Sequence, residues 1–200
     1  MDDSTPQSIP SHWQQVWIIL AKAVDTGDSA FSTPCVSTVA DRETARSRVV
    51  VLRDCNAQDA SLTFYTDARS IKLQHLRGGS NLTWCFWDPE SQLQLIGGGP
   101  TNDVDASVRR KIWDDLPKHG RKAYATLHAP GTTLPDKGTD LPADWHSREL
   151  SATEYAFANF AVLRTRLLWA EVLHLDRSGN TRTAAKRTRE GDWAFERLVP

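Results

Sequence analysis

Between residues 46 and 72 the chain sets arginines, hydroxyls and a lysine at spacings suited to gathering around one doubly charged anion. Read as one strand of period two, SRVVVLRD puts Arg46, Arg48, Val50 and Leu52 on one pleat face and Ser47, Val49, Val51 and Arg53 on the other. Each face then carries a charged end. A second β-branched and aromatic run covers residues 61–66 and ends in Tyr65-Thr66-Asp67, where Asp67 is a natural N-cap for a helix from about Ala68. Leu73 and Leu76 give that helix a packing side, and Gly78-Gly79 stop it. Its first turn carries Arg69, Ser70 and Lys72, so backbone N–H groups, a hydroxyl and two cations meet at the positive end of the helix dipole, as a phosphate requires. Taken singly, each charge reads more readily as a solvated strand end or helix face than as a ligand contact. The combined order is what points to a phosphate.

The surrounding elements must hold this cradle. Ser11 suits the cap of a helix in which Trp13, Val16, Trp17, Leu20 and Val24 recur at helical spacing, ending near Gly27. Strands are expected over residues 34–40, 46–53, 62–66, 82–87 and 92–96, with Asp88-Pro89-Glu90 as the turn of the last hairpin. Gln92 and Gln94 then share a face with Ile96, which suits either ligand contact or a wet edge strand. Five short strands with tight connections favour a closed barrel, so the fold class is mainly β with flanking helices. Val104, Val108, Ile112 and Leu116 mark a further helix ended by Pro117, and Ser151 with Glu154 forms a capping box ahead of Tyr155, Phe157 and Phe160. Strands follow to the C-terminus. One domain spans residues 1–200, with a helical region over 1–28 and a Pro- and Gly-punctuated loop over 117–148, which holds Tyr124, His128 and Trp145.

Composition removes several classes of function. A net charge of −1 gives no basic excess for nucleic acid, apart from a C-terminal patch of Arg182, Lys186, Arg187 and Arg189. The early apolar run VWIIL is too short to span a membrane or serve as a signal, so a cytoplasmic protein is expected. Cys35, Cys55 and Cys85 follow no metal or redox spacing, the histidines show no HExxH-like pattern, and no metal site is expected. The triple glycine at 97–99 lacks the GxGxxG spacing of a dinucleotide fingerprint.

The order Arg48 to Arg53, then Tyr65-Thr66, then Ser70 and Lys72, then Gln92 in SQLQLIG resembles the pyridoxamine 5'-phosphate oxidase family of FMN-binding split barrels, in its broader oxidase-like branch. The C-terminal GDWAFERLVP is similar to that family's final strand. The resemblance implies an FMN-binding split β-barrel that works as a homodimer. It carries cofactor contacts to Arg48, Val49, Val50, Val51, Leu52, Arg53, Tyr65, Thr66, Arg69, Ser70 and Lys72, with Gln92 bonding the flavin ring. Two departures qualify it: the oxidases' near-terminal Arg-Leu-His is replaced by NTRTAAKR, and Ile71 stands where a second phosphate cation is expected, with Arg69 on the other side of Ser70. The implied activity is therefore an FMN-dependent oxidoreductase acting on an unidentified small molecule, with a flavin carrier or redox sensor as the alternative. F420 or haem in place of FMN stays open.

Overall fold

The computed structural model describes residues 9–40, 44–134, 138 and 140–200. Helix α1 (Ile9–Thr26) opens the described chain; Ser11 lies inside its first turn and not at its cap. Val16, Leu20 and Ala23 are buried on one helical face, and Gly27, at φ 69°, ends the helix in a conformation that L side chains rarely adopt.

The strands are β1 (Cys35–Val39), β2 (Ala45–Val49), β3 (Leu52–Asn56), β4 (Ser61–Asp67), β5 (Leu82–Asp88), β6 (Leu93–Gly99), β7 (Thr101–Asp103), β8 (Phe160–Arg166), β9 (Trp169–His174), β10 (Thr181–Arg187) and β11 (Trp193–Leu198). They form a seven-stranded sheet in the order β11-β10-β9-β6-β5-β1-β2 and a four-stranded sheet in the order β3-β4-β8-β7. Every pairing is antiparallel. This is a split barrel built from two sheets, and α1 packs its apolar face into the shared core of Leu52, Leu62, Phe64, Trp84, Phe86 and Leu95. Trp84 stacks on Phe86 at 5.7 Å and meets Phe64 edge-on at 5.5 Å.

The run expected as one strand over residues 46–53 is two. β2 is an edge of the large sheet and β3 an edge of the small one, so the chain changes sheets at Val50 and Val51. The even-odd alternation read from the sequence therefore does not carry across the corner, and Arg48 and Arg53 belong to different sheets. A matching corner follows β6: Gly97 to Gly99 end that strand and Pro100 leads into β7. Here the glycines answer to crowding, since a Cβ on Gly99 would lie 2.0 Å from the Arg166 carbonyl oxygen.

Helices α2 (Ile71–Arg77), α3 (Ala106–Asp115) and α4 (Lys118–Arg121) flank the sheets. A second core of Trp113, Tyr124, Trp145, Ala156, Phe160 and Val162 lies under α3 and the long loop. Tyr124 and Trp145 are thus packing residues of that loop, while His128 pairs with Asp140 at 2.8 Å. The segment expected to open on a capping box is a 3₁₀ helix, Leu150–Asn159, with Glu149 at its N-cap. Glu154 turns instead to Arg110 and to the Trp113 indole N–H. No helix among the described residues is long and apolar enough to cross a membrane.

Candidate functional site

The cradle forms where β1, β2 and the end of β4 meet α2. Ser70, not Asp67, is the N-cap of α2, and its hydroxyl makes no capping bond. That hydroxyl is buried and has no hydrogen-bond partner, which leaves an acceptor-seeking O–H in the interior. Lys72, on the first turn, donates to the Thr66 Oγ1 at 2.6 Å. Arg48 reaches in from β2 and donates through Nη1 to the Thr38 Oγ1 at 2.8 Å, and the same oxygen lies 2.9 Å from the His75 Nδ1 on α2.

The electrostatics are those of an unsatisfied positive site. Burial, and next the neighbouring Arg48, push the Lys72 ammonium down to about 8, with Asp67 opposing. Burial likewise lowers Arg48. Neither cation forms an ion pair among the described residues. Two half-buried cations without an ion pair and a hydroxyl without a partner make up the group, with Asp67, itself bonded to Arg69, as the nearby carboxylate.

Other sequence-predicted residues are distributed around this group. The Arg53 guanidinium sits over the Tyr65 ring at 5.4 Å, and burial raises the Tyr65 phenol. Val49 and Val51 are exposed and Val50 is half-buried, so the corner presents apolar side chains at the surface, while the Val50 N–H is taken by the Pro34 carbonyl. Leu52 turns its side chain into the core and has only backbone to offer.

Arg69 and Gln92 stand apart. Arg69 is committed to Asp67, with Nε 3.0 Å from Oδ1 and Nη2 2.7 Å from Oδ2, and to the Thr126 carbonyl and hydroxyl. It pins the long loop to the end of β4 and has no cation to spare for a phosphate. Gln92 lies in the β5–β6 turn at φ 53°, not in the strand, and its amide donates to the Pro89 carbonyl at 2.8 Å. Since Ser37 faces Thr83 while Asp88 faces Leu93, Gln92 caps the end of the hairpin remote from the cradle, about 20 Å away at strand spacing.

Thr38 and His75 are the members that the sequence reading missed. Thr38 had a legible signal: it alternates with Val36 and so points a hydroxyl inward from β1, where it is 1% exposed. His75, three residues after Lys72, shares its side of α2. Arg182, of the C-terminal basic patch, is bonded to Glu171 on the adjacent strand.

With fold and cradle in view, the comparisons with known proteins agree on a class. Residues 11–99 match the family model described as pyridoxamine 5'-phosphate oxidase, FMN-binding domain. A pyridoxamine 5'-phosphate oxidase-related, FMN-binding protein from Nostoc punctiforme superposes with a TM-score of 0.72 at 18% identity, covering 94% of this chain and 97% of that one. PhzG from Burkholderia lata, solved with tetrahydrophenazine-1-carboxylic acid, gives a TM-score of 0.71 at 18% identity over 98% and 94% of the two chains. No curated protein matches the chain. The fold is the split barrel that these two proteins share, and residues 11–99 are similar to the FMN-binding-domain model.

Proposed function

We propose that the chain binds FMN, with the phosphate on Ser70, Lys72 and Arg48, and that it serves as an oxidoreductase for a small molecule. The observation that carries this reading is the buried, unpartnered Ser70 hydroxyl at the start of the helix whose Lys72 neighbours Arg48, neither cation being ion-paired among the described residues. A phosphate dianion would accept from all three and remove the cost of leaving the hydroxyl unpaired. Thr38 and Thr66 hold Arg48 and Lys72 in their present directions. Val50, Val51 and the Arg53–Tyr65 pair line the continuation toward the ring system. When bound, FMN supplies the electron-transfer chemistry itself.

The remoteness of Gln92 bears on assembly. A flavin whose phosphate sits on Ser70 does not extend to the far end of the β5–β6 hairpin of the same chain. For Gln92 to bond a ring, it must bond the flavin of another copy. On the assignment of Gln92 to a flavin ring that the resemblance implies, the assembly is a homodimer with two equivalent sites, each completed by the turn of its partner.

The decisive measurement is the cofactor content of the purified protein. A yellow protein whose extracted pigment is FMN is expected, and colourless protein that takes up no added FMN would remove the reading. Oxidation of a nicotinamide donor by the flavin-loaded protein supports an oxidoreductase. Inertness to a panel of donors would leave a carrier.

The lowered lysine sets a pH dependence. Below about 8 Lys72 is charged and ready for the phosphate; above it the free protein holds it neutral. FMN affinity is expected to fall as pH rises through 8, by up to about tenfold per unit, as binding becomes coupled to proton uptake. Fluorescence titration between pH 7 and 10 tests this, and a flat profile counts against Lys72. The stability of the cofactor-free protein runs the other way. The folded state depresses this lysine below its unfolded value, so the cost of burying its charge is in full force below 8 and is relieved between 8 and 10.5.

Arg69 provides a contrast. Arg69→Ala leaves the buried Asp67 without its cation and frees Thr126, so a loss of about 1 to 3 kcal/mol is expected in chemical denaturation, allowing for the partial exposure of the pair. FMN affinity, measured in protein that remains folded, is expected to change less than for Lys72→Ala.

A further inference from the structure

We propose that Cys35 and Cys85 are a reversible thiol–disulfide site that bonds the first residue of β1 to β5. The two residues are direct register partners on adjacent antiparallel strands, so their side chains leave the same face of the large sheet. They form the middle of the row Val49, Cys35, Cys85, Ile96, which runs across four strands. Both are free thiols and both are half-buried.

Backbone geometry suits a bridge. The Val50 N–H donates to the Pro34 carbonyl at 2.9 Å, so Pro34 faces β2 and, by alternation, Cys35 directs its own backbone groups toward β5. Cys35 and Cys85 are then a hydrogen-bonded pair, for which Cα atoms lie about 5.5 Å apart, inside the range of about 4.4 to 6.8 Å that disulfides span, while their Cβ atoms, about 5.5 Å apart in this register, must close by about 1 Å or more to bond. The rung is the last of the β1–β5 ladder, so on the β1 side the closure of the Cβ atoms falls at a strand end, while Cys85 lies mid-strand and paired with Ile96. Burial, and next the nearby Cys35, push the Cys85 thiol up. Val49, beside Cys35, is 68% exposed, so the row opens to solvent at that side.

Hydrogen peroxide is the oxidant for which the chemistry is written. One thiolate attacks a peroxide oxygen, the O–O bond breaks, and the departing hydroxide takes a proton to leave as water, giving a sulfenic acid. The second sulfur attacks the first, the S–O bond breaks, and that hydroxide leaves as water with the proton of the second thiol. Two thiols lose two electrons and two protons, and one peroxide becomes two waters.

The third cysteine is an internal control. Cys55 lies on β3 of the other sheet, and its thiol is pushed up to about 11 by burial, with Asp54 and Asp25 adding to it. The full chain, reduced and then exposed to equimolar hydrogen peroxide under native conditions, is blocked with N-ethylmaleimide and read by intact mass and non-reducing peptide mapping. One maleimide per chain is expected in place of three, on Cys55, with a Cys35–Cys85 cross-linked peptide that dithiothreitol removes. Cys35→Ser and Cys85→Ser are each expected to abolish the cross-link, and Cys55→Ser to leave it. Three maleimides after oxidation, irreversible sulfinate at either position, a bridge to Cys55, or a bridge between two chains would each overturn the proposal.

Discussion

Lys72→Ala is expected to weaken FMN binding by about 10- to 150-fold, the equivalent of losing about 1.5 to 3 kcal/mol from a charged hydrogen bond. Ser70→Ala is expected to weaken it in the same direction, with an opposite effect on the protein alone. The Ser70 hydroxyl caps nothing and bonds nothing, so its removal deletes an unpaired buried polar atom. The cofactor-free variant should be as stable as the parent or more so, by up to about 1 to 3 kcal/mol. Thermal unfolding without flavin and fluorescence titration with it separate the two effects. A variant that loses stability and keeps its affinity would show that the hydroxyl belongs to the fold and that the phosphate, if bound, sits elsewhere.

Gly99→Ala is expected to damage the fold more than any change in the cradle. The added methyl would lie 2.0 Å from the Arg166 carbonyl oxygen and 3.2 Å from the Leu168 backbone nitrogen. Neither can swing aside as a side chain could, because Arg166 and Leu168 are hydrogen-bonded to Pro100 and Gly98. Overpacking of this kind costs about 1 to 3 kcal/mol and more when backbone must move. The expected result is a large fall in the unfolding midpoint, or insoluble protein. Gly120→Ala offers a comparison, since its Cβ would meet only side-chain atoms, the nearest at 3.3 Å. Equal stability of Gly99→Ala and the parent chain would mean that the corner after β6 is looser than these distances require.

The contents of the cradle were legible in the sequence, and its geometry less so. Hydroxyl and cation at residues 70 and 72, after a strand running through Thr66, read directly as a donor cluster; the structure bonds Lys72 to Thr66 and sets Ser70 at the start of the same helix. Arg69 looked equivalent because linear spacing does not show which of two adjacent cations a buried carboxylate will claim; Asp67 claims this one. The continuous strand over 46–53 misled for a related reason. A β-rich run has the same local composition whether it stays in one sheet or passes to another, and only pairing partners decide. Gln92 fell one residue outside its strand, at a left-handed position in the turn. Cys35 and Cys85 were dismissed on spacing, although pairing between strands places them opposite each other at a separation no linear motif encodes.

The passage of the chain from β2 to β3 through Val50 and Val51 has a consequence for variation in this protein. Those two residues act as a ruler between Arg48, which leans on Thr38 in one sheet, and Arg53, which lies over Tyr65 in the other. Inserting or deleting a single residue there would rotate one arginine out of step with the other, whereas exchange of Val50 or Val51 for another aliphatic would preserve the measure. The length of this joint should therefore tolerate far less change than its spelling.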